Sequence, residues 1–236
     1  MARTGRIGGR VRQDGIIVAI DGPAGAGKST TAKAAAKGLG YLYLDTGAMY
    51  RAVAWATLKA RHDPDDAEQV VELAAALRIE QVAGEPTRTI VDGVDISDGI
   101  RTQAVSNAAS RVAVHPRVRE VLVTLQKQIG VSGGIVLEGR DTTTAVFPDA
   151  ELKVFLEASV EERVQRRCRD LEAAGETVDL AALEREIQER DDRDRETQSR
   201  NGPWPTPDAI RVDTTGLNVE EQVDRIVALA RERGAA

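Results

Sequence analysis

The stretch Ile16-Ile-Val-Ala-Ile-Asp-Gly-Pro-Ala-Gly-Ala-Gly-Lys-Ser-Thr30 decides the fold of this 236-residue chain. It begins as an apolar, β-branched run, which predicts a buried strand, and continues into the pattern G-x-x-x-x-G-K-S. The Ala- and Lys-rich residues from Thr30 to Leu39 contain no proline and predict a helix after the loop. Strand, glycine loop and helix in this order are typical of a phosphate-binding loop, so we expect a nucleoside triphosphate to bind here.

Each residue type in this loop has a chemical reason to be there. The glycines allow the backbone to turn its N–H groups toward a polyphosphate, and Lys28 offers a cation to the β- and γ-phosphates. The Ser29 hydroxyl is the predicted ligand of the Mg²⁺ cofactor that accompanies ATP. The predicted ATP-binding residues are Gly22, Pro23, Ala24, Gly25, Ala26, Gly27, Lys28, Ser29 and Thr30.

Composition restricts the class of protein further. A hydrophobic content of 42% allows a proper core, in one domain with an insertion or in two small ones. The net charge of -6 argues against a nucleic acid polymer as the main partner, because a phosphate backbone needs a basic protein face. Small anionic substrates held by a few arginines remain compatible with this charge.

The sequence also bears on the compartment. No apolar run reaches the ~20 residues needed to span a bilayer, so no membrane partner is expected. Residues 1–14 carry charge and glycine instead of an apolar stretch and are expected to form a flexible tail, not a secretory signal. Cys168 is the single cysteine and lies at helical spacing between Val164 and Leu171, which predicts a core residue in a reducing compartment. We expect a cytoplasmic monomer.

Apolar periodicity predicts an α/β fold with a parallel core sheet and helices on both faces. Two capping boxes, at Ser159 and Asn218, predict the starts of two late helices. Between the second and third core strands, the segment from Arg78 to Ile96 predicts a small antiparallel meander in an inserted subdomain, with turns at Ala83-Gly84-Glu85-Pro86 and Asp92-Gly93. The predicted core strands cover 16–20, 41–44, 134–137, 152–156 and 210–212, and one helix covers 48–59.

Polar residues follow the ends of these strands. Asp45-Thr46-Gly47 follows the second strand, with Arg51 on the next helix, and Gly139-Arg140-Asp141 follows the third. Ligands of open parallel sheets bind at the carboxyl ends of the strands, so these residues are candidates for substrate binding.

A charged helix near the C-terminus carries a second candidate group. Leu180, Leu183 and Ile187 predict its buried stripe, and the same spacing places Arg190 and Asp194 on that stripe. Two charges facing the core require a partner, which a bound phosphate or sugar could supply. The alternative is an ordinary i,i+4 ion pair between Arg190 and Asp194.

Eight motifs in order and spacing resemble those of the bacterial cytidylate kinase family, and the match runs from about Ile16 to the terminal helix. The motifs are Ile20-Asp-Gly-Pro-Ala-Gly-Ala-Gly-Lys-Ser29, Leu44-Asp-Thr-Gly-Ala-Met-Tyr-Arg51, Ile100-Arg-Thr-Gln103, Asn107-Ala-Ala-Ser110, Pro116-Arg-Val-Arg119, Gly139-Arg-Asp141, Val146-Phe-Pro-Asp149 and Glu189-Arg-Asp-Asp-Arg-Asp194. The resemblance implies a P-loop NTPase fold of the nucleoside monophosphate kinase type, which phosphorylates CMP and dCMP with ATP.

The resemblance also implies residue roles and domain bounds. It assigns CMP binding to Thr46, Tyr50, Arg51, Ser110, Arg119, Arg140, Asp141 and Asp194, and catalysis to Lys28, Arg140 and Arg190. It implies a kinase domain over 15–236, with a substrate-side insert at about 62–130 and a lid at about 170–205.

The chain departs from the family pattern at two places. Thr142-Thr143-Thr144 stands where the family has Met-Gly-Thr, and a further lid arginine is missing, with Arg200 as one candidate replacement. Two other functions stay open. One is a P-loop kinase acting on another nucleotide or on a metabolite hydroxyl, with Asp45 as the candidate base. The other is a nucleotide-binding regulatory module.

Overall fold

The computed structural model describes residues 12–235 except 83, 85, 174, 176 and 201. Its described residues form two compact units, one with the residues up to Tyr43 and from Ser132 onward, the other with Leu44–Val131. Most of the predicted flexible tail, residues 1–11, lies outside the described residues. The Arg12 side chain forms ion pairs at 3.0 Å with Asp149 and Glu151.

The helices and strands follow the predicted alternation. In chain order they are β1 (Ile17–Asp21), α1 (Lys28–Leu39), β2 (Leu42–Asp45), α2 (Thr46–Lys59), α3 (Ala67–Ala76), β3 (Ile79–Val82), β4 (Arg88–Val91), β5 (Val94–Asp95), a 3₁₀ turn (Gly99–Arg101), α4 (Gln103–Val112), α5 (Pro116–Gly130), β6 (Ile135–Gly139), a π-helical turn (Thr142–Val146), β7 (Leu152–Glu157), α6 (Val160–Ala173), α7 (Leu180–Ser199), β8 (Ile210–Asp213) and α8 (Val219–Glu232).

The first unit is built on a five-stranded sheet with strand order β2-β6-β1-β7-β8. The pairs of β1 with β6, β1 with β7 and β7 with β8 are parallel, and Ile17 is level with Ile135. One face packs on α1 and α8, where Ala32 and Ala35 are fully buried because their small side chains allow close approach. Ile17 and Ile135 on the alternate face are buried too, as expected for a central parallel sheet. The predicted α/β P-loop fold is confirmed.

Two glycines allow the turn from β1 into α1. A Cβ on Gly22 would lie 2.0 Å from the Leu156 carbonyl oxygen, so the backbone passes too close to β7 for any side chain. Gly27, directly before α1, has a φ of 88° in the left-handed region, which an L-residue rarely adopts. The loop conformation therefore depends on these two positions.

The second unit contains the predicted meander. β3 and β4 are antiparallel, with Ile79 level with Val91, and β4 and β5 are antiparallel as well. Asp92 and Gly93 join β4 to β5 with φ values of 51° and 81°, which confirms the second predicted turn. Residues 83 and 85 of the first predicted turn lie outside the described residues. Helix α2 packs on α4, and α3 packs on α5.

Three local predictions need correction. Leu180 is 55% exposed, because it is the first residue of α7 and lies before the turns that pack on α6 through Leu183 and Ile187. Cys168 is half-buried at the edge of that small cluster and is not a core residue.

The third correction concerns the capping boxes. Only half of the box at Ser159 forms. Its hydroxyl accepts from the Glu162 N–H, but its own N–H donates to Thr215 Oγ1, and the Glu162 carboxylate accepts from Arg166. The box at Asn218 and Glu221 is complete, as predicted.

Candidate active site

Three side chains, one from the end of the glycine loop and two from distant elements, hold three of the loop's carbonyl groups. The Lys28 ammonium donates to the Pro23 carbonyl at 2.6 Å, Arg163 Nη1 to that of Ala24 at 3.1 Å, and Thr214 Oγ1 to that of Ala26 at 3.1 Å. These three contacts fix the course of the loop, whose backbone N–H groups are the donors expected to meet an anion.

Lys28 lies in a cluster of buried charges. Burial lowers the pKa of its ammonium from 10.5 to about 7, and the positive charges of Arg140 and Arg190 add to this effect, while Glu138 and Asp194 oppose it. Burial is thus the main cause of the shift, and three carboxylates, Asp194, Glu138 and Asp21, raise the pKa of Arg140 in the same cluster despite its burial. A bound polyphosphate would favour the charged form of Lys28, as expected of a nucleotide site.

This pKa predicts proton uptake when ATP binds. At pH 8 the Lys28 side chain of the free protein is mostly the neutral amine, because its pKa is about 7. Bound phosphates add negative charge beside it and raise its pKa, so binding of Mg-ATP should take up about one proton. Calorimetric titration at pH 8 in two buffers of different ionisation enthalpy measures this uptake, and a Lys28→Met variant should lose it. Equal uptake by both proteins would contradict the assignment.

The predicted metal ligand, Ser29, lies beside a carboxylate. Its hydroxyl donates to Glu138 Oε1 at 2.6 Å, and Glu138 is the buried fourth residue of β6, next to β1 in the sheet. A hydroxyl and a carboxylate are hard oxygen donors of the kind Mg²⁺ prefers, and Mg²⁺ with a nucleotide needs only one or two protein oxygens. Ser29 and Glu138 therefore fit a magnesium ion.

Arg140 and Asp194 are brought together from different elements. Arg140 Nε donates to Asp194 Oδ2 at 2.7 Å, and both side chains are largely buried. Burial acts to raise the pKa of Asp194, but the charges of Arg140 and Arg190 outweigh it and lower this pKa below its usual value. The prediction that both charges lie on the inward stripe of α7 is supported, since Arg190 and Asp194 are each half-buried. The ion pair of Asp194 with Arg140 connects α7 to the residue that follows β6.

Arg163 on α6 links α7 to the glycine loop through an ion pair and a hydrogen bond. Arg163 is 4% exposed and pairs with Asp191 at 2.7 Å through Nη2, while its Nη1 holds the Ala24 carbonyl. Since Arg190 and Asp194 lie on the same helix, this pair helps to fix the rotation of α7 about its axis.

Arg200, the candidate replacement for the missing lid arginine, and Arg193 on α7 both lie at the surface. Arg200 pairs with Glu196 one turn earlier, and both side chains are more than 60% exposed. Arg193 donates to the Glu189 carbonyl of its own helix. Neither contact identifies a replacement for the missing lid arginine.

The remaining CMP candidates belong to the second unit. Thr46 and Tyr50 are buried in α2, Ser110 lies on α4, and Arg119 lies on α5, the last two half-buried. Arg51 Nη2 donates to Asp45 Oδ2 at 2.7 Å. Asp141, by contrast, is 2% exposed in the first unit, directly after Arg140.

Sequence reasoning missed Glu138, Arg163 and Thr214. Glu138 had a readable signal, because an acidic residue at the end of an apolar strand beside the glycine loop is where P-loop proteins hold magnesium. Arg163 and Thr214 had none, because each acts on the loop across more than 130 residues of sequence.

A parallel sheet whose central strand runs through a glycine loop into a helix, with lysine and serine at the helix start, defines a P-loop NTPase. Within that class, the family model described as cytidylate kinase matches residues 18–232, so the chain belongs to the cytidylate kinase family.

Relatives with curated descriptions agree. A bifunctional pantoate ligase/cytidylate kinase of Synechococcus sp. (strain JA-2-3B'a(2-13)) is 51% identical over 92% of this chain, which spans 40% of that relative. A cytidylate kinase of Geobacillus sp. (strain WCH70) is 46% identical over 94% of this chain and 99% of its own length. Among solved structures, the crystal structure of TT1252 from Thermus thermophilus has a TM-score of 0.45 at 21% identity, covering 92% of this chain and 97% of its own.

In the described part of the chain, no helix is both long and apolar enough to cross a membrane.

Proposed function

We propose that this chain transfers the γ-phosphoryl group of ATP to CMP and dCMP, giving ADP and CDP or dCDP. The observation that carries the proposal is the placement of three cationic side chains at the glycine loop, where Arg140 and Arg190 lie close enough to act electrostatically on Lys28. Two nucleotides that meet through their phosphates bring several negative charges together, and such a cluster compensates them. We further propose that the protein acts in the cytoplasm as a monomer.

The acceptor needs no general base in this reaction. The attacking atom is an oxygen of the CMP phosphate, which is already ionised near neutral pH because its second pKa is about 6. Catalysis then consists of aligning two phosphates and neutralising their charge. In the proposal Lys28 holds the β- and γ-phosphates, and Arg140 and Arg190 stabilise the transferred group.

Magnesium, held by Ser29 with Glu138 beside it, would neutralise charge on the β- and γ-phosphates when bound. The nine residues from Gly22 to Thr30 are the proposed ATP site, in which backbone N–H groups supply most of the donors.

Recognition of the acceptor is assigned by family resemblance and supported by chemistry. Cytosine has an exocyclic amine, and the Asp141 carboxylate can accept a hydrogen bond from it. Arg119 can donate a hydrogen bond to the acceptor edge of the ring, and Ser110 is a further contact. The phosphate of CMP is assigned to Arg51 and Arg140, and its sugar to Asp194. Thr46 and Tyr50 complete the proposed set.

A hydroxyl-directed kinase is disfavoured by the surroundings of its candidate base. Asp45 Oδ1 accepts from the Ala48 N–H and caps α2, while Oδ2 accepts from Arg51, both at 2.7 Å. A carboxylate with both oxygens occupied in this way is poorly prepared to take a proton from an alcohol.

Release of ADP, coupled to a reporter enzyme, tests the proposal across CMP, dCMP, UMP, AMP and shikimate as acceptors. We expect CMP and dCMP to give the highest kcat/KM, because the wrong base leaves buried polar groups unpaired. A preference for UMP, or turnover with shikimate alone, would refute the proposed substrate.

An Asp141→Asn variant tests base recognition. The amide keeps the shape but replaces an acceptor oxygen by a donor, which conflicts with the cytosine amine. We expect KM for CMP to rise at least about tenfold, while KM for ATP changes less than about twofold. The exposed Asp170→Asn change on α6 is the matched control and should alter neither constant. Equal increases for both substrates would show that Asp141 does not read the base.

A further inference from the structure

Asp21 ends β1 and makes contacts that no part of the proposed reaction has used. Its side chain is fully buried. Oδ1 accepts from the Thr142 N–H at 2.9 Å and from the Thr142 hydroxyl at 2.7 Å. Oδ2 accepts from the Thr143 N–H at 3.0 Å and from the Thr143 hydroxyl at 2.6 Å. One carboxylate thus receives four hydrogen bonds from two consecutive residues.

These bonds cap the π-helical turn Thr142–Val146 from a distant strand. The first N–H groups of a helical turn have no partner within the turn, and a carboxylate is a favourable acceptor at that end. The hydroxyl bonds to Asp21 are short and charge-assisted, which makes them stronger than bonds between neutral groups. Asp21 therefore fixes where the turn begins.

The π-helical turn also fixes the peptide group between Asp141 and Thr142. The N–H of this peptide, on Thr142, donates to Asp21, and its carbonyl, on Asp141, accepts from the Ala145 N–H at 2.9 Å and the Val146 N–H at 3.2 Å. Both polar ends of one peptide are held, so the backbone of Asp141 has little freedom to rotate. Arg140 is the residue directly before it.

Asp21 also stands directly before Gly22, the first residue of the glycine loop. The main chain of Asp21 therefore leads directly into the proposed ATP site, while its carboxylate holds the backbone that follows Arg140 and Asp141. The two threonine hydroxyls occur where the family pattern has methionine and glycine, neither of which has a hydroxyl to donate.

We infer that Asp21, Thr142 and Thr143 form a positioning lock that holds Arg140 and Asp141 in place for the acceptor nucleotide, and that the two hydroxyls are this chain's own contribution to it. The inference rests on the proposed function, because its readout is the binding of CMP. The three residues touch neither nucleotide in this assignment and act through the backbone of the residues that do.

The test compares two double variants that differ in one property. Thr142→Val with Thr143→Val keeps the side-chain shape and removes both hydroxyls, whereas Thr142→Ser with Thr143→Ser keeps both hydroxyls. We expect the valine pair to raise KM for CMP about tenfold or more and to lower kcat, with KM for ATP within about twofold, because small misplacements of binding groups cost this much. The serine pair should restore values within about threefold of the wild type.

Thr57→Val is the control for loss of a buried hydroxyl. Thr57 is fully buried and donates to the Val53 carbonyl within α2. It should lower the melting temperature without separating the KM values of CMP and ATP. A thermal melt of every variant shows that each is folded at the assay temperature.

The possible outcomes distinguish failure of the proposed function from failure of the inference about Asp21, Thr142 and Thr143. A wild-type protein that does not phosphorylate CMP refutes the proposed function, and the inference falls with it. A wild type active on CMP, together with a valine pair whose KM for CMP is unchanged or rises equally with that for ATP, overturns the inference alone. A serine pair as impaired as the valine pair overturns it too, since the hydroxyls would then not be the cause.

Discussion

Replacing Lys28 by methionine is expected to lower kcat by at least about a thousandfold while the protein stays folded. Methionine has a similar length and fills the same space, so the change removes the cation and the hydrogen bond to the Pro23 carbonyl. Lys28 is the first residue of α1, and burial together with the charges of Arg140 and Arg190 depresses the pKa of its ammonium to about 7 in the free protein. A γ-phosphate in transfer would stabilise the charged form, and the variant loses this interaction where charge develops.

Stability should not fall in this variant. In the unfolded chain Lys28 is charged up to its ordinary pKa of 10.5, whereas in the folded protein the charge is disfavoured above pH of about 7. Folding therefore releases a proton at pH 8 and opposes the charge, so removing the ammonium removes an unfavourable contribution. Single-turnover kinetics and thermal melts at pH 8 measure both effects. Lys37→Met, at an exposed site on the same helix, is the control. Retained kcat in the Lys28 variant would remove this residue from the mechanism.

Replacing Arg140 by methionine is expected to produce the second large effect, which lowers both the turnover rate and the free energy of unfolding. Turnover should fall by about a thousandfold or more if Arg140 stabilises the transferred group, a loss comparable to removal of other phosphoryl-transfer arginines. The free energy of unfolding should fall by about 3 kcal/mol, because Asp194 keeps its charge in a largely buried place without this partner at 2.7 Å. Urea unfolding measures the second quantity.

A double variant separates these two roles. Adding Asp194→Asn to Arg140→Met removes the uncompensated charge, so most of the lost stability should return, while kcat should stay low because the arginine is still absent. Arg211→Met breaks an exposed pair with Glu157 and should cost less than about 1 kcal/mol without affecting turnover. If kcat recovered together with stability in the double variant, Arg140 would have only a structural role.

Much of the first unit could be predicted because its signals are local. The β-branched run, the glycine loop and the Ala-rich helix are each recognisable from neighbouring residues between Ile16 and Leu39, and the structure has β1, the loop and α1 there. Strand ends are marked by polar residues in the same way, so Arg140 and Asp141 were found without knowing what lies beside them. The meander of the second unit was predictable from its Asp92-Gly93 turn.

Partners distant in sequence could not be predicted. Spacing along α7 could indicate only Arg190, four residues earlier, as a partner of Asp194, whereas the structure also brings Arg140, 54 residues away in sequence, to 2.7 Å from this carboxylate. Likewise, the sequence showed that Thr142-Thr143 departs from the family pattern in the loop that presents Asp141, but not what the departure does. In the structure these threonines are held by Asp21 across 121 and 122 residues of sequence.

The sequence by itself determined where the chain turns and which segments are strands or helices. It is also the basis of our proposal that a polyphosphate binds at the end of β1. Only the tertiary structure decided which charge meets which, because that depends on the order of β6, β1 and β7 in the sheet and on how α6 and α7 pack, and a local pattern contains no information about either. A buried charge pairs with the group that the topology brings within hydrogen-bond distance, because an unpaired buried charge destabilises the fold by more than local conformational preferences stabilise it.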